Sequence, residues 1–224
     1  MVKNLKKLSS VLVVSTMLSS SALADKAFVA VGLNLSTTGI GVEARTPIAD
    51  NFYGRLGANY FKYSNSYNSG QINLKGDLTL LSVPIMLDWH PFDDSGFRLS
   101  AGVAYNGNKV KATGKATQGV TLNGIPFTAA QVGSVTAELA LGNAIAGVAS
   151  LGYDSSFISN GPLSFHFELG AMYTGKPKLS VSSTGIGGAA FLKEYKKDAN
   201  KSLKDVEKYL RIFPILKVGV KYAF

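Results

Sequence analysis

The residues most able to do chemistry lie in PLSFHFELG, where Ser164, His166 and Glu168 occupy alternate positions. A hydroxyl, an imidazole and a carboxylate are the parts of a hydrolytic triad. Alternate residues on one strand face the same way, about 6.6–7 Å apart, which stretches a Ser–His hydrogen bond. No GxSxG elbow accompanies them. The second histidine, His90, lies near a turn far along the chain, so no His-rich motif suggests a metal site, and the absence of cysteine removes thiolate ligands and nucleophiles. No cofactor motif is present. The three residues read instead as one polar face of a strand, in a protein that is not an enzyme.

The strand that carries them alternates throughout. Leu163, Phe165, Phe167, Leu169, Ala171 and Tyr173 form its apolar face. The same period of two runs through FRLSAGVAYN and LKVGVKYAF and, more faintly, through NAIAGVASLGY. Eight segments qualify: 26–36, 38–47, 51–63, 74–90, 97–107, 143–153, 163–174 and 214–224. Short turns at 47–51, 91–96 and 155–162 alternate with polar links at 64–73, 108–142 and 175–213, while Ser36–Gly39 is a tight turn. This pattern predicts an all-β fold, an eight-stranded antiparallel transmembrane β-barrel.

Two features place the apolar faces outward, toward lipid. Large aromatics (Trp89, Phe97, Tyr105, Tyr173, Phe224) sit near strand ends, as in interfacial girdles. The opposite faces carry Glu43, Arg45, Arg55, Asp88, Arg98, His166, Glu168 and Lys217, too many charges for a dry core. These eight are the candidate lumen residues, with Glu43 or Glu168 expected to pair with Arg55 or Arg98. Eight strands enclose a space that side chains nearly fill.

Residues 1–24, with Lys3, Lys6 and Lys7 before a short apolar stretch and a small-residue Ala22-Leu-Ala24 site, read as a secretory signal peptide; the barrel domain is 25–224. Removing the leader lysines lowers the net charge of +9 to +6. In an exported chain this basic balance suits outer-membrane lipid and lipopolysaccharide phosphates rather than nucleic acid. Lys109, Lys111 and Lys115 of the 108–142 loop read first as solubilising charges, with contact to such phosphates as the alternative, and Asn123-Gly124 marks a hairpin within it. In the 175–213 loop, Phe191, Tyr195, Ala199, Leu203, Val206 and Leu210 form the stripe of a short amphipathic helix, a lid or cap over the barrel mouth. The terminal Phe224, with apolar residues at alternate positions before it, fits the signal read by barrel assembly machinery. Monomer is the default state.

GPLSFHFELGAMYTGKPKLSV, the charged segment after it, FPILKVGVKYAF and the early STTGIGVEAR together resemble the CarO-type outer-membrane proteins. The most specific portion is Tyr173-Thr-Gly-x-Pro-Lys178 followed by Lys217-Val-Gly-Val220. The resemblance implies an eight-stranded barrel in the outer membrane that acts as a narrow, slow channel for small solutes, ornithine and other basic amino acids among them. The lysine-rich loops leave anionic and zwitterionic solutes open. The alternative is a closed structural or surface-interaction barrel, as in OmpA and OmpX.

Overall fold

The computed structural model describes residues 29–224 except 70–71, 93–94, 117, 123, 158–160, 191, 194, 196–206 and 208. The proposed leader lies outside the described residues. Eight strands close the barrel: β1 (Ala30–Ser36), β2 (Gly39–Ala49), β3 (Phe52–Ser69), β4 (Ile72–Trp89), β5 (Phe97–Asn106), β10 (Ile145–Asp154), β11 (Leu163–Tyr173) and β13 (Ile212–Ala223). Each pairs antiparallel with its neighbours, and closure comes from β1 against β13, with Ala30 opposite Ala223 and Ser36 opposite Lys217. Val29, the first described residue, and Phe224 therefore meet at the rim with the short turns, the periplasmic rim of such barrels.

Alternation sorts the two faces. Leu33, Leu35, Ile40, Val42, Leu56, Ile85, Leu87, Phe165 and Leu216 are exposed on the outside, while the intervening residues are buried inside. Each strand places charge and apolar bulk on opposite faces, so only lipid outside and a polar interior satisfy both. Phe52 and Trp89 stack at 6.3 Å and Tyr222 meets Phe224 at 5.0 Å, forming part of the lower aromatic girdle.

The links are more ordered than the sequence suggests. Of the expected 64–73 loop, residues 64–69 and 72–73 are strand, because β3 and β4 keep one register from Phe52–Trp89 to Ser69–Ile72. The 108–142 segment holds β6 (Lys109–Ala116), the small hairpin of β7 (Val120–Leu122) and β8 (Ile125–Phe127), α1 (Ala129–Val132) and β9 (Ser134–Ala140). The 175–213 segment adds β12 (Lys178–Ser183). β6 continues the register of β5 on β4, β9 pairs with β6, and β12 pairs with β9. The barrel wall thus rises past the membrane on one side as a sheet ordered β3-β4-β6-β9-β12. The small β7–β8 hairpin is the one expected within 108–142, whereas β6, β9, β12 and the upper parts of β3 and β4 replace expected polar links, because their outward faces are polar. Residues 188–190, 192–193, 195, 207 and 209–210 are helical. The rest of the expected 189–210 helix lies outside the described residues.

On the other side the wall ends at the Ser36–Gly39 turn. Thr37 ties it to the last strand, its N–H donating to Leu216 O at 3.0 Å and its Oγ1 to Pro214 O at 2.8 Å. Gly39 has φ +119°, and a Cβ there would lie 2.6 Å from the carbonyl of Tyr60. Gly39→Ala is therefore expected to destabilise the barrel by about 1–3 kcal/mol through backbone strain, before the added steric clash. Urea unfolding in lipid vesicles measures this, and an unchanged midpoint would contradict it.

Candidate functional site: a charged lumen under an apolar layer

The barrel strands bring all eight candidate lumen residues inside, each buried. Their charges form one connected cluster. Arg55 is clamped on Asp88 (Nε–Oδ2 2.9 Å, Nη2–Oδ1 3.0 Å) and reaches Glu168 across the lumen (Nη1–Oε2 2.7 Å). Glu43 lies 3.5 Å from Arg55 and 3.3 Å from Lys217. Glu168 also accepts from Arg98 Nη2 at 2.9 Å and Ser150 Oγ at 2.8 Å, with Lys217 Nζ at 3.4 Å. Below these, Arg45 donates to Asp154 at 2.7 Å and approaches Asp88 at 3.8 Å. The expected pairings of Glu168 with both Arg55 and Arg98 form. Glu43 pairs with Arg55, and its second cation is Lys217 rather than Arg98.

Three further groups belong to the cluster. Asp154 is fully buried, ion-paired to Lys221, and 3.8 Å from Arg98. Lys221 follows Lys217 at an even spacing on the same face of β13. His90 contacts Arg45 and meets Tyr53 edge-on at 5.2 Å, while the Arg45 guanidinium lies 3.9 Å over the Tyr53 ring. Parity alone could have found Asp154. It sits in the strand whose small residues gave the weakest alternation.

Inward-facing glycines, on this strand and on β1 and β13, have a steric function. A Cβ on Gly152 would come within 2.9 Å of Arg98 Nε, one on Gly32 within 2.6 Å of Lys221 Cγ, and one on Gly219 within 2.4 Å of the His166 ring. Long polar side chains lie flat across glycine on the neighbouring strand, which lets eight strands close around so many of them. Gly219→Val is expected to dislodge His166 and weaken the barrel by at least about 1 kcal/mol through overpacking, read in the same unfolding assay.

Ser164, His166 and Glu168 share this interior, but they are not arranged as a triad. Neither nitrogen of the His166 ring makes a hydrogen bond, and Nε2 stands 3.5 Å from Glu43 Oε1. Glu168 is engaged by Arg55, Arg98 and Lys217. Among the described residues, no group of His, Cys, Asp or Glu is placed to hold a metal ion.

Above the ions the lumen changes character. Met86, Ala104, Ala146, Val148, Met172 and Ile215 form an apolar layer, backed by Phe213. Beside that layer is a cavity of about 20 Å³, room for about one water, lined by Arg55, Glu168 and Lys217 and also by Thr38 and Asn59. Asn59, Ser82, Thr38, Asn106 and Thr174 lie buried on the far side, toward the extracellular rim. The site is therefore a column of paired ions closed by a thin apolar layer.

The fold has known counterparts. Its barrel is built like CarO. Crystal structures of Acinetobacter baumannii CarO2 and CarO superpose with a TM-score of 0.55 each, at 22% identity. The first covers 89% of this chain and 100% of its own, the second 88% and 98%. No protein-family model and no curated protein sequence matches the chain. The likeness shows a β-barrel of CarO-like fold, which meets the expectation from Tyr173-Thr-Gly-x-Pro-Lys178 and the final strand, and the apolar exterior fits a membrane.

Proposed function

We propose that this barrel is a narrow, slow channel for small solutes such as amino acids. The observation that supports this reading is the make-up of the column. Five cations (Arg45, Arg55, Arg98, Lys217, Lys221) and four carboxylates (Glu43, Asp88, Asp154, Glu168) share partners rather than forming isolated pairs. Each carboxylate contacts two or three cations, so one contact can be exchanged for a solute's charge while the others hold. A zwitterion supplies both charges, its carboxylate to Arg55 or Arg98 and its ammonium to Glu43 or Glu168. Ornithine and other basic amino acids are the solutes that the CarO resemblance favours. The near-balanced cluster itself favours the zwitterionic portion they share with neutral amino acids.

Passage requires the apolar layer to part. Met86 and Met172 are flexible side chains suited to that, and two alanines thin the layer further. The 189–210 segment is the proposed lid or cap. The barrel works as a monomer, and Phe224, 74% exposed at the end of the last strand, is the residue offered to the assembly machinery.

The cavity of about 20 Å³ supports a second reading, a closed structural barrel. Planar-bilayer recording separates the two. The channel reading predicts small resolvable steps from wild type and larger ones from Met172→Ala/Ile215→Ala, which thins the layer. Silence from both, with each folded, would favour the closed barrel.

A further inference from the structure

The outer surface of the wall reverses its chemistry at one level. Along β4 the lipid face reads Trp89, Leu87, Ile85, Val83 and Leu81, then Thr79, Asp77, Lys75 and Asn73. Neighbouring strands change at the same height: Tyr60 gives way to Lys62 on β3, and Tyr105 to Lys109 on β5–β6. The inner face reverses in the opposite sense, from the lumen ions to Leu80, Leu78 and Leu74. The switch marks where the hydrocarbon ends, about 27 Å along β4 from Trp89 to Leu81.

Directly above that line, register aligns a basic row. Lys62 is opposite Thr79, Thr79 opposite Lys109, Lys109 opposite Ala140, and Ala140 opposite Lys178. Lys62, Lys109 and Lys178 thus share one face and one height, about 10 Å apart, two strand spacings each. The rows above add Lys111, then Lys75, then Lys115. Six lysines face outward here against two acids, Asp77 and Glu138. Those acids partly engage Lys75 at 3.9 Å and Lys109 at 3.5 Å. Ser64 donates to Asp77 at 2.5 Å and holds its carboxyl below the usual range, so Asp77 stays charged; the face is still strongly basic.

We infer that this face binds the phosphorylated headgroup of an outer-leaflet glycolipid, with Lys62, Lys109 and Lys178 on its phosphates and its acyl chains on the apolar band below. A basic row at random height would serve only solubility. This one starts at the edge of the lipid band: Lys62 is the outward-facing residue after Tyr60 on β3, only Gly107 separates Lys109 from Tyr105 on β5–β6, and on β4 between them the same level is the polar Thr79. Charge and apolar surface therefore meet where a phosphoglycolipid carries both.

The test uses the full mature chain folded in detergent, with bis-phosphorylated lipid A as the probe. Binding is measured by native mass spectrometry for wild type and for Lys62→Gln/Lys109→Gln/Lys178→Gln. The row is expected to account for about a 10- to 100-fold difference in affinity. Dephosphorylated lipid A is expected to bind both proteins equally and weakly. Inorganic phosphate at millimolar concentration is expected not to displace the lipid, which distinguishes a lipid site from a free-phosphate site. Lys115→Gln, three rows higher, is expected to bind like wild type. Heat-modified gel mobility establishes that each variant is folded. Equal affinity of the triple variant and wild type, tight binding of the dephosphorylated lipid, displacement by phosphate, or no binding by wild type would each overturn the inference.

Discussion

Glu168→Gln is expected to destabilise the folded barrel by about 3–5 kcal/mol, the range for removing one partner of a buried ion pair. Glutamine keeps the size of the side chain and can still accept from Ser150. It cannot compensate the charges of Arg55, Arg98 and Lys217, which lie 2.7, 2.9 and 3.4 Å away. Nor can those cations turn to water easily, since the lumen above them is closed by the Met86–Met172–Ile215 layer. The loss appears as a lower urea midpoint for unfolding from lipid vesicles. Arg98→Met in the Glu168→Gln background is then expected to cost less than Arg98→Met alone, because one unpaired cation is removed with it. A single-variant loss below about 1 kcal/mol would show that water screens the lumen as it does a surface pair. In conductance, five cations against three carboxylates are expected to lower cation permeation relative to anions.

Arg55→Met reverses the sign. Arg55 is the guanidinium shared by Asp88, Glu168 and Glu43, at 2.9, 2.7 and 3.5 Å. Methionine fills most of its volume and leaves three carboxylates with fewer cations. The stability loss is again expected at about 3–5 kcal/mol. The selectivity change is opposite, with cation permeation raised relative to anions. Opposite shifts from the two variants would establish that lumen charge, rather than general loosening, sets selectivity. Shifts in the same direction would mean that both simply open the barrel.

The barrel was largely legible in the chain because membrane strands carry a strong constraint. One face must satisfy lipid and the other must not, so Leu99, Val103 and Tyr105 against Arg98 and Ser100 could be read directly. The lumen charges followed from the same parity. Which of them pair did not, because pairing depends on stagger around the barrel, and Glu168 meets Arg55 from strands far apart in sequence. Asp154 was missed because Ala146, Gly147, Ala149 and Gly152 blur the alternation of its strand. The structure shows why one of them is small: Gly152 makes room for Arg98. The apolar layer was missed for a related reason. Met86 and Met172 lie on the same faces as Asp88 and Glu168, and only the folded barrel brings them together as one layer.

The extracellular wall was the main correction. Its strands alternate as regularly as those below, but with the faces exchanged. Lys109, Lys111 and Lys115 point out and Val110 and Ala112 point in, opposite to the rule that held for Leu99 and Arg98. Read with the membrane rule, such a segment resembles a polar loop. Read with the rule for a sheet that has one face in water, it is a strand. The reversal at Leu81–Thr79 is where one solvent ends and the other begins.

The central claim is that small solutes cross this barrel. The measurement that tests it most directly is entry of ornithine, a neutral amino acid and glutamate into liposomes containing the refolded mature chain, against empty liposomes. The account predicts slow entry above the empty control, with the amino acids that carry an ammonium beside a carboxylate admitted and uncharged sugars of similar size excluded. Entry of none of the three, from protein shown to be folded, would contradict it and leave a closed barrel.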